Sequence, residues 1–379
     1  MSTTEEYLAA GLYDPSVDAD TGRLDLLEWL TGQGFTVDEM IVALETDGLG
    51  AMAGDRRLST GTWLSRREAI AISELSSEDF DAYATAFGFL ALDGAPTGEL
   101  GISAEQAKAL AVFGALAPMF SDAEALSFIR VIGNSIGRIA EAAVSLFLTD
   151  VESPMLASGQ SELDLAVKVD EAVGLLDGFA EQLDSVLKRH VLQAIQRSRR
   201  SIIDMNERLR YRYAVGFVDL VGFTEISEHM DSQELANFIR DFEGRAHDVV
   251  TQMGARVVKL IGDEVMFVAT DPTAACRAAS ALMSGIGCEH EQVLPRGGLA
   301  YGEVLVRGGD YYGSVVNLAS RLVDEAVPQE LLVTEALAEA TETSGQVRFE
   351  PAGRRMVKGF ADPITVRSLF AGDESVEHH

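Results

Sequence analysis

Residues 217–224 read Phe-Val-Asp-Leu-Val-Gly-Phe-Thr, and this stretch decides the fold of the C-terminal half of the chain. It continues a β-rich run that starts at Tyr213, so the pattern predicts a strand that ends in the carboxylate of Asp219. Gly222 then permits a tight turn into a helix start, where free backbone N–H groups can hold a phosphate. Because an aspartate at a strand end is often only a cap, this stretch alone is a modest indication of a phosphate site.

A second carboxylate lies in residues 259–264, which read Lys-Leu-Ile-Gly-Asp-Glu. The runs 256–260 and 265–269 are rich in β-forming residues, so they predict two strands joined by a hairpin turn that contains Asp263. If the first strand pairs with this hairpin, Asp219 and Asp263 come to one place. Two carboxylates that converge on a triphosphate are typical of a Mg²⁺ or Mn²⁺ site.

The segments around these motifs predict an α+β fold for the C-terminal half. Hydrophobic periodicity predicts helices over about 232–253 and 272–286, and β-rich runs predict further strands near 297–305 and 330–334. The resulting order β-α-β-β-α-β is that of ferredoxin-like folds.

The N-terminal half predicts an all-helical domain. Thr36 with Glu39 and Ser103 with Gln106 fit the capping box of a helix start, and such segments joined by short turns indicate a helical bundle. Apolar residues at three- and four-residue steps predict one amphipathic helix over 165–194. This helix ends near a basic cluster, whose members are Arg197, Arg199, Arg200, Arg208, Arg210 and Arg212.

Composition argues against several classes of protein. The formal net charge of -30 disfavours a nucleic-acid partner. The sequence shows no apolar run long enough to cross a bilayer and no secretion signal, so we expect a cytoplasmic protein without a transmembrane segment. Cys276 and Cys288 match no metal-ligand spacing and are expected to be buried packing residues. We interpret residues 376–379, Val-Glu-His-His, as the remnant of an affinity tag.

A third motif, residues 310–321, reads Asp-Tyr-Tyr-Gly-Ser-Val-Val-Asn-Leu-Ala-Ser-Arg. Together with residues 217–224 and 259–264 it resembles the three signatures of class III nucleotidyl cyclases, in the same order and with the same spacing. The resemblance covers residues 210–370. Each motif alone is a weak signal, whereas the three together are highly specific.

The resemblance implies a role for each matching position. Asp219 and Asp263 would bind two Mg²⁺ or Mn²⁺ ions, which assist attack by the ribose 3′-hydroxyl and departure of pyrophosphate. The groups around the triphosphate would be those of Gly222, Phe223, Thr224 and Lys358.

Base recognition would rest on Lys259 and Asp310. An ammonium can donate to a ring nitrogen of adenine, and a carboxylate can accept from its exocyclic amine. In guanylyl members of the family these positions are typically Glu and Cys, so the pair favours ATP. Asn317 would orient the ribose, and Arg321 would stabilise charge on the α-phosphoryl group in the transition state.

In this family the metal aspartates come from one chain, and the base-reading pair, the asparagine and the arginine come from the other. This chain carries every element, so the resemblance implies a homodimer with two shared active sites. The implied division is a helical regulatory and dimerisation domain over 1–196, a switch linker over 197–212 and a catalytic domain over 213–372.

The N-terminal half resembles that of mycobacterial adenylyl cyclases with an autoinhibitory, pH-sensing domain, on segments 23–30 and 34–40. The likeness implies that this half inhibits the cyclase and that a fatty acid is its ligand. One hypothesis for the switch is protonation of a histidine, near its ordinary pKa of about 6.5, beside the basic cluster. The regulatory residues are then His190, Arg197, Arg199 and Arg200.

Several alternatives stay open. A guanylyl cyclase is disfavoured by Lys259 and Asp310, and a nucleotide-binding sensor without catalysis is disfavoured by the presence of Asn317 and Arg321. Arg321 could also pair with Asp324 on a helix surface. The N-terminal half could instead be a protein-interaction module with an effector of its own.

Overall fold

The computed structural model describes residues 3–18, 21–46, 48–58, 63–89, 99–116, 119–202, 210–285 and 293–370. The chain divides into two compact units, which we call the N-terminal unit (Met1–Lys188) and the C-terminal unit (Arg189–His379). Three expectations lie outside the described residues, namely those for Cys288, Arg208 and the tag remnant at 376–379.

The N-terminal unit is built from helices. Its elements are α1 (Thr3–Ala9), α2 (Arg23–Gly32), α3 (Val37–Glu45), α4 (Met52–Leu58), β1 (Leu64–Ser65), α5 (Arg66–Ser73), α6 (Ser77–Phe87), β2 (Glu99–Ile102), α7 (Ala104–Leu116), α8 (Asp122–Phe147), a π-helical turn (Leu148–Glu152), α9 (Ser153–Ala157), α10 (Glu162–Gly174) and α11 (Leu176–Ser201). The last helix crosses the division between the units. Two apolar clusters form the core, one around Tyr7 and Leu27 and one around Phe80 and Leu110.

The helical prediction for this unit is confirmed apart from two details. Strands β1 and β2 form a short antiparallel pair, so the unit is not entirely helical. The predicted helix over 165–194 is two helices, because α10 ends at Gly174 and α11 begins at Leu176. Glycine is a poor helix former, and hydrophobic periodicity does not detect a break that keeps the apolar face in phase. Both predicted capping boxes are present, at Thr36 and at Ser103.

One helical stretch in the described part of the chain, Asp122–Ala157, is long and apolar enough to cross a membrane, and none of its most apolar window is buried. The expectation from the sequence considered only uninterrupted apolar runs and did not identify this stretch. A single such helix is weak evidence for a membrane span, because length and composition alone define it.

The C-terminal unit is an α+β fold around one mixed sheet. Its elements after α11 are β3 (Tyr211–Val221), α12 (Phe223–Ser227), α13 (Ser232–Gln252), β4 (Arg256–Ile261), β5 (Glu264–Ala269), α14 (Pro272–Gly285), β6 (Leu294–Arg307), β7 (Asp310–Tyr312), α15 (Ser314–Glu325), β8 (Leu331–Thr334), α16 (Glu335–Thr341), a 3₁₀ turn (Glu342–Ser344), β9 (Arg348–Arg355) and β10 (Ile364–Phe370). The strand order is β4-β5-β3-β6-β8-β10-β9, and β7 pairs with β6. The predicted β-α-β-β-α-β order and the predicted hairpin are confirmed.

Strand β3 lies in the middle of this sheet and is buried on both faces. Ala214 and Val218 pack in the cluster that contains α13 and α14 residues, whereas Val215 and Phe217 pack in the cluster with Ala319 of α15. Side chains alternate between the faces of a strand, so Asp219 follows Phe217 on the face that α15 covers. The topology therefore brings the end of β3, the β4–β5 turn and α15 into one region.

Candidate active site

The two predicted metal-binding aspartates come together. Asp219 lies near the end of β3, and Asp263 lies in the turn between β4 and β5, while Val265 of β5 pairs directly with Val218. Burial raises the pKa of Asp263 above its usual range, and the charge of Asp219 and a hydrogen-bond contact with it raise that pKa further. Such a rise is expected where two carboxylates share one site.

Arg296 lies beside the two carboxylates and was not predicted from the sequence. It lies on β6 directly opposite Asp219, and its Nε and Nη2 atoms donate to Asp219 Oδ2 at 3.1 and 3.0 Å. Both side chains are largely buried. Only the register of β3 against β6 reveals this pair, and no short motif carries that register.

Glu264 adds a third carboxyl group beside the turn. Burial raises its pKa to about 7, and the charges of Asp219, Asp324 and Asp263 contribute to the rise, while Arg296 opposes it. The structure thus places Glu264 in a cluster of negative charge.

The donors in this region fit a divalent cation that binds with a nucleotide. Carboxylate oxygens are the ligands that Mg²⁺ prefers, and Mg²⁺ is usually held by one or two carboxylates plus substrate phosphates. Among the described residues, no group of three or more His, Cys, Asp or Glu is arranged to hold a metal by itself. Asp219 and Asp263 are the two carboxylates that would hold such a cation together with substrate phosphates.

A cavity of about 480 Å³ brings together four of the predicted site residues. These are Lys259, Asn317, Arg321 and Lys358. Asp310 belongs with them, because Lys259 Nζ donates to Asp310 Oδ2 at 2.7 Å. Asp219 and Asp263 are not among the residues that line this cavity. The predicted residues of one chain therefore form two groups, a carboxylate group and a cavity group.

Helix α15 presents the two predicted catalytic residues on one face. Asn317 and Arg321 are four residues apart, so they are neighbours on the helix surface. Arg321 also lies 3.4 Å from Asp324, with both side chains exposed. This is the surface pair that the sequence left open as an alternative. An exposed pair of this kind is weak and leaves the guanidinium available to a ligand.

The remaining predicted contacts lie on turns. Gly222 caps α12 with a φ of 92°, and the ring of Phe223 stacks on Phe238 at 5.1 Å. The Phe223 side chain is thus a packing group, and only its backbone is free for a phosphate. Thr224 is exposed, as is Lys358, which follows the buried Val357 between β9 and β10. Their contacts with substrate stay predictions.

The predicted regulatory residues lie on α11. His190, Arg199 and Arg200 are exposed, and Arg197 is half-buried, near Tyr311. His190 does not belong to either group of predicted site residues. Its regulatory role stays a prediction.

Comparison with known proteins gives the family. Residues 210–369 match the adenylate and guanylate cyclase catalytic domain. An uncharacterised protein of Mycobacterium tuberculosis H37Rv is 31% identical over 361 residues, which cover 95% of this chain and 92% of that protein. A protein of M. tuberculosis CDC 1551 named pH-sensitive adenylate cyclase is 28% identical over 92% of this chain and 88% of its own length.

Among solved structures, the crystal structure of the adenylyl cyclase CyaB from P. aeruginosa matches 44% of this chain and 96% of its own. Its TM-score is 0.40 and its identity 22%. The matched cyclase domain covers β3 through β10, the part of the chain that carries both groups of site residues. The family match and the full-length relative show that this chain belongs to the class III nucleotide cyclases.

Proposed function

We propose that the protein is an adenylyl cyclase, which converts ATP into 3′,5′-cyclic AMP and pyrophosphate. The observation that carries the proposal is the ion pair between Lys259 and Asp310 at the cavity that also holds Asn317 and Arg321. One ammonium and one carboxylate side by side match the acceptor and donor on the edge of adenine. Guanine presents a carbonyl oxygen where adenine presents its amine, and this oxygen would face the carboxylate of Asp310.

The cavity residues would bind and orient the nucleotide. Lys259 donates to a ring nitrogen of adenine, and Asp310 accepts from the exocyclic amine. Asn317 holds the ribose so that its 3′-hydroxyl faces the α-phosphorus. Arg321 lies one helical turn further and donates to the α-phosphoryl oxygens as charge develops there. Lys358 neutralises the triphosphate from the opposite loop.

Two Mg²⁺ or Mn²⁺ ions would be held by Asp219 and Asp263, and when bound they supply Lewis acidity to the 3′-hydroxyl and the phosphates. The clustered negative charge of Asp219, Asp263 and Glu264 supports this assignment. Arg296 balances the charge of Asp219 and fixes the direction of its carboxylate.

We assign the complete site to a homodimer. The carboxylate group and the cavity group are separate in one chain, which supports a site that a second copy completes. A two-fold symmetric dimer would then contain two equal sites.

Regulation forms the second part of the proposal. The N-terminal unit lowers the activity of the C-terminal unit at neutral pH, and acid relieves this inhibition. The likeness to a protein named pH-sensitive adenylate cyclase along 92% of this chain supports it. A fatty acid is the ligand proposed for the N-terminal unit, where Ala140, Val144 and Leu148 line an open pocket of about 470 Å³ together with Glu141, Ser145 and Thr149.

The test compares the full chain with a fragment that starts at Arg189, using Mn²⁺-ATP and Mn²⁺-GTP at about pH 6 and about pH 7.5. We expect cyclic AMP from ATP, with the fragment faster than the full chain at neutral pH and a smaller difference in acid. The matched control is the Asp263→Asn fragment, which we expect to be inactive.

Other outcomes support other functions. Preference for GTP would make the protein a guanylyl cyclase. Nucleotide binding without product by either protein would make it a nucleotide-binding sensor. Equal rates for fragment and full chain would contradict inhibition by the N-terminal unit and would leave the enzyme assignment intact.

A further inference from the structure

Three buried hydroxyl groups join the last turn of α11 to strand β7. The side chains of Ser201, Tyr213 and Tyr311 are each at most 4% exposed. Ser201 Oγ lies 3.1 Å from the hydroxyl oxygen of Tyr213, and the Tyr213 and Tyr311 rings meet edge to face at 5.1 Å. All three belong to the C-terminal unit.

Hydrogen bonds link the hydroxyls of this group. Ser201 Oγ is the donor to the Tyr213 hydroxyl oxygen, and the carbonyl oxygens of Arg197 and Ser198 lie 2.9 and 3.2 Å from the same Oγ atom. Burial raises the pKa of Tyr311 to about 12, and its hydrogen bond with Tyr213 contributes to the rise, as expected for a donor. Each of the three buried hydroxyls therefore has a hydrogen-bond partner, as buried polar groups generally do.

The chain of hydroxyls ends beside the residue proposed to read adenine. The backbone N–H of Tyr311 donates to Asp310 Oδ1 at 2.8 Å, and Lys259 holds Asp310 Oδ2. Arg256 supports the same segment, because its Nη2 atom donates to the carbonyl of Gly309 at 3.0 Å and its guanidinium faces the Tyr311 ring.

Strand β7, which carries Asp310, is too short to fix its own position in the fold. It has only three residues and follows Gly308 and Gly309, which both have positive φ angles, of 60° and 82°. Two glycines in this conformation give the backbone before Asp310 little stiffness. The buried ring of Tyr311 therefore adds to the pairing of β7 with β6 as a constraint on where the Asp310 carboxylate lies.

We propose that Tyr311 and Tyr213 are positioning residues for base recognition, and that the three-hydroxyl chain makes the position of Asp310 depend on the last turn of α11. This inference rests on the proposed function, because it takes Asp310 as the group that reads the base. Tyr311 and Tyr213 would then affect the affinity and selectivity for the base without touching the nucleotide.

The experiment uses the full chain with the single substitutions Tyr311→Phe, Tyr213→Phe and Ser201→Ala. Each removes one hydroxyl and keeps the apolar packing. We expect KM for ATP to rise roughly 3- to 10-fold in the tyrosine variants, the effect of one lost hydrogen bond, with kcat within about twofold. The preference for ATP over GTP in kcat/KM should fall by a similar factor.

Tyr301→Phe is the matched control. Tyr301 is a half-buried tyrosine that packs in the cluster on the other face of the same sheet, away from the hydroxyl chain. We expect its KM and its ATP preference to equal those of the unmodified chain. Thermal melts of all variants check that each is folded.

The link to α11 is tested by combining Ser201→Ala with Tyr311→Phe. The free-energy effects of substitutions within one hydrogen-bond chain are not additive. The factor by which the double variant raises KM should therefore be smaller than the product of the two single factors. Folded tyrosine variants with unchanged KM and unchanged ATP preference would overturn the positioning role. Multiplicative effects in the double variant would overturn the link to α11.

The unmodified chain separates this inference from the proposed function. If neither it nor the fragment that starts at Arg189 forms cyclic nucleotide, the proposed function fails. If it is active and prefers ATP while the tyrosine variants behave like the Tyr301→Phe control, only this inference fails.

Discussion

The ionisation of Glu264 has a measurable effect on stability. Its folded pKa is about 7, well above the ordinary value of 4.5. Between these values the folded chain binds more protons than the unfolded chain, so the free energy of unfolding falls as pH rises through this window. Protonated Glu264 is the form that the fold favours.

Glu264→Gln should therefore stabilise the metal-free protein in a pH-dependent way. We expect the variant's melting temperature to exceed that of the unmodified chain by an amount that grows from about pH 5 to about pH 7 and is constant above. Thermal melts in the presence of a chelator measure this.

Glu335→Gln is the control of opposite sign. A hydrogen bond from Arg367 lowers the pKa of Glu335, so its stabilisation is present at neutral pH and is lost as pH falls through the folded pKa. This variant should be less stable than the unmodified chain at neutral pH. A Glu264→Gln difference that is the same at every pH would contradict the assignment.

Single residues show where sequence reasoning succeeds and where it stops. Asp219, Asp263, Lys259 and Asp310 could be proposed as site residues because each lies in one of the three motifs that resemble the cyclase signatures. Arg296 was not found, since its contact with Asp219 depends on the register between two strands that are distant in sequence. The hydrogen bond between the Tyr213 and Tyr311 side chains was not predicted, because nothing local in the sequence indicates it.

At the scale of elements, Gly298 controls how closely α15 approaches the sheet. A Cβ atom on this β6 residue would lie 2.4 Å from the carbonyl oxygen of Ala319 and 2.7 Å from the backbone nitrogen of Val323. Both obstacles are helix backbone, which cannot move aside alone. The helix carries Asn317 and Arg321, so its position matters for the cavity.

Gly298→Ala should push α15 outward. We expect a loss of about 1–3 kcal/mol in the free energy of unfolding and a loss of at least about tenfold in kcat, since small misplacements of catalytic groups are costly. Urea unfolding and the cyclase assay measure the two effects.

Gly244→Ala is the control for this substitution. Gly244 lies inside α13 with open space around its Cα, and alanine is the better helix former, so we expect a gain of roughly 0.5–1 kcal/mol and unchanged kcat. Equal stability and equal kcat for Gly298→Ala and the unmodified chain would show that the helix adapts without cost.

Element prediction worked best where the periodic pattern was long. Helices α13 and α14 and the β4–β5 hairpin were predicted with nearly correct ends, because each has a clear apolar period or a turn signal. Strands β7, β9 and β10 were not predicted. The three residues of β7 are too few for a period, and five of the eight residues of β9 are exposed, so tertiary pairing decides these strands.

At the scale of the whole molecule, a shared site predicts complementation between inactive variants. Asp219→Ala and Arg321→Ala should each be inactive alone. When they are mixed and allowed to exchange subunits, half of the dimers are heterodimers with one intact site of two, so about one quarter of full activity should return. Cyclic AMP formation by the mixture measures this.

Mixing Asp219→Ala with Asp263→Ala is the matched control. Each substitution removes one of the two aspartates of the carboxylate group, which both come from the same chain in any one site. No combination of these chains therefore contains an intact site. Activity in this control, or none in the first mixture, would contradict a site made from two chains.

The central position of β3 also governs how the protein is made. Its two neighbours in the sheet are β5 and β6. During synthesis, both edges of β3 can be paired only after the ribosome has extended the chain to Arg307, the end of β6. At the usual rate of about 5–20 residues per second this takes several seconds, while the N-terminal unit is already complete. An apolar strand with two open edges is a template for aggregation in that interval. Substitutions in β3 will therefore reduce the yield of soluble protein in cells before they affect the activity of the molecules that fold.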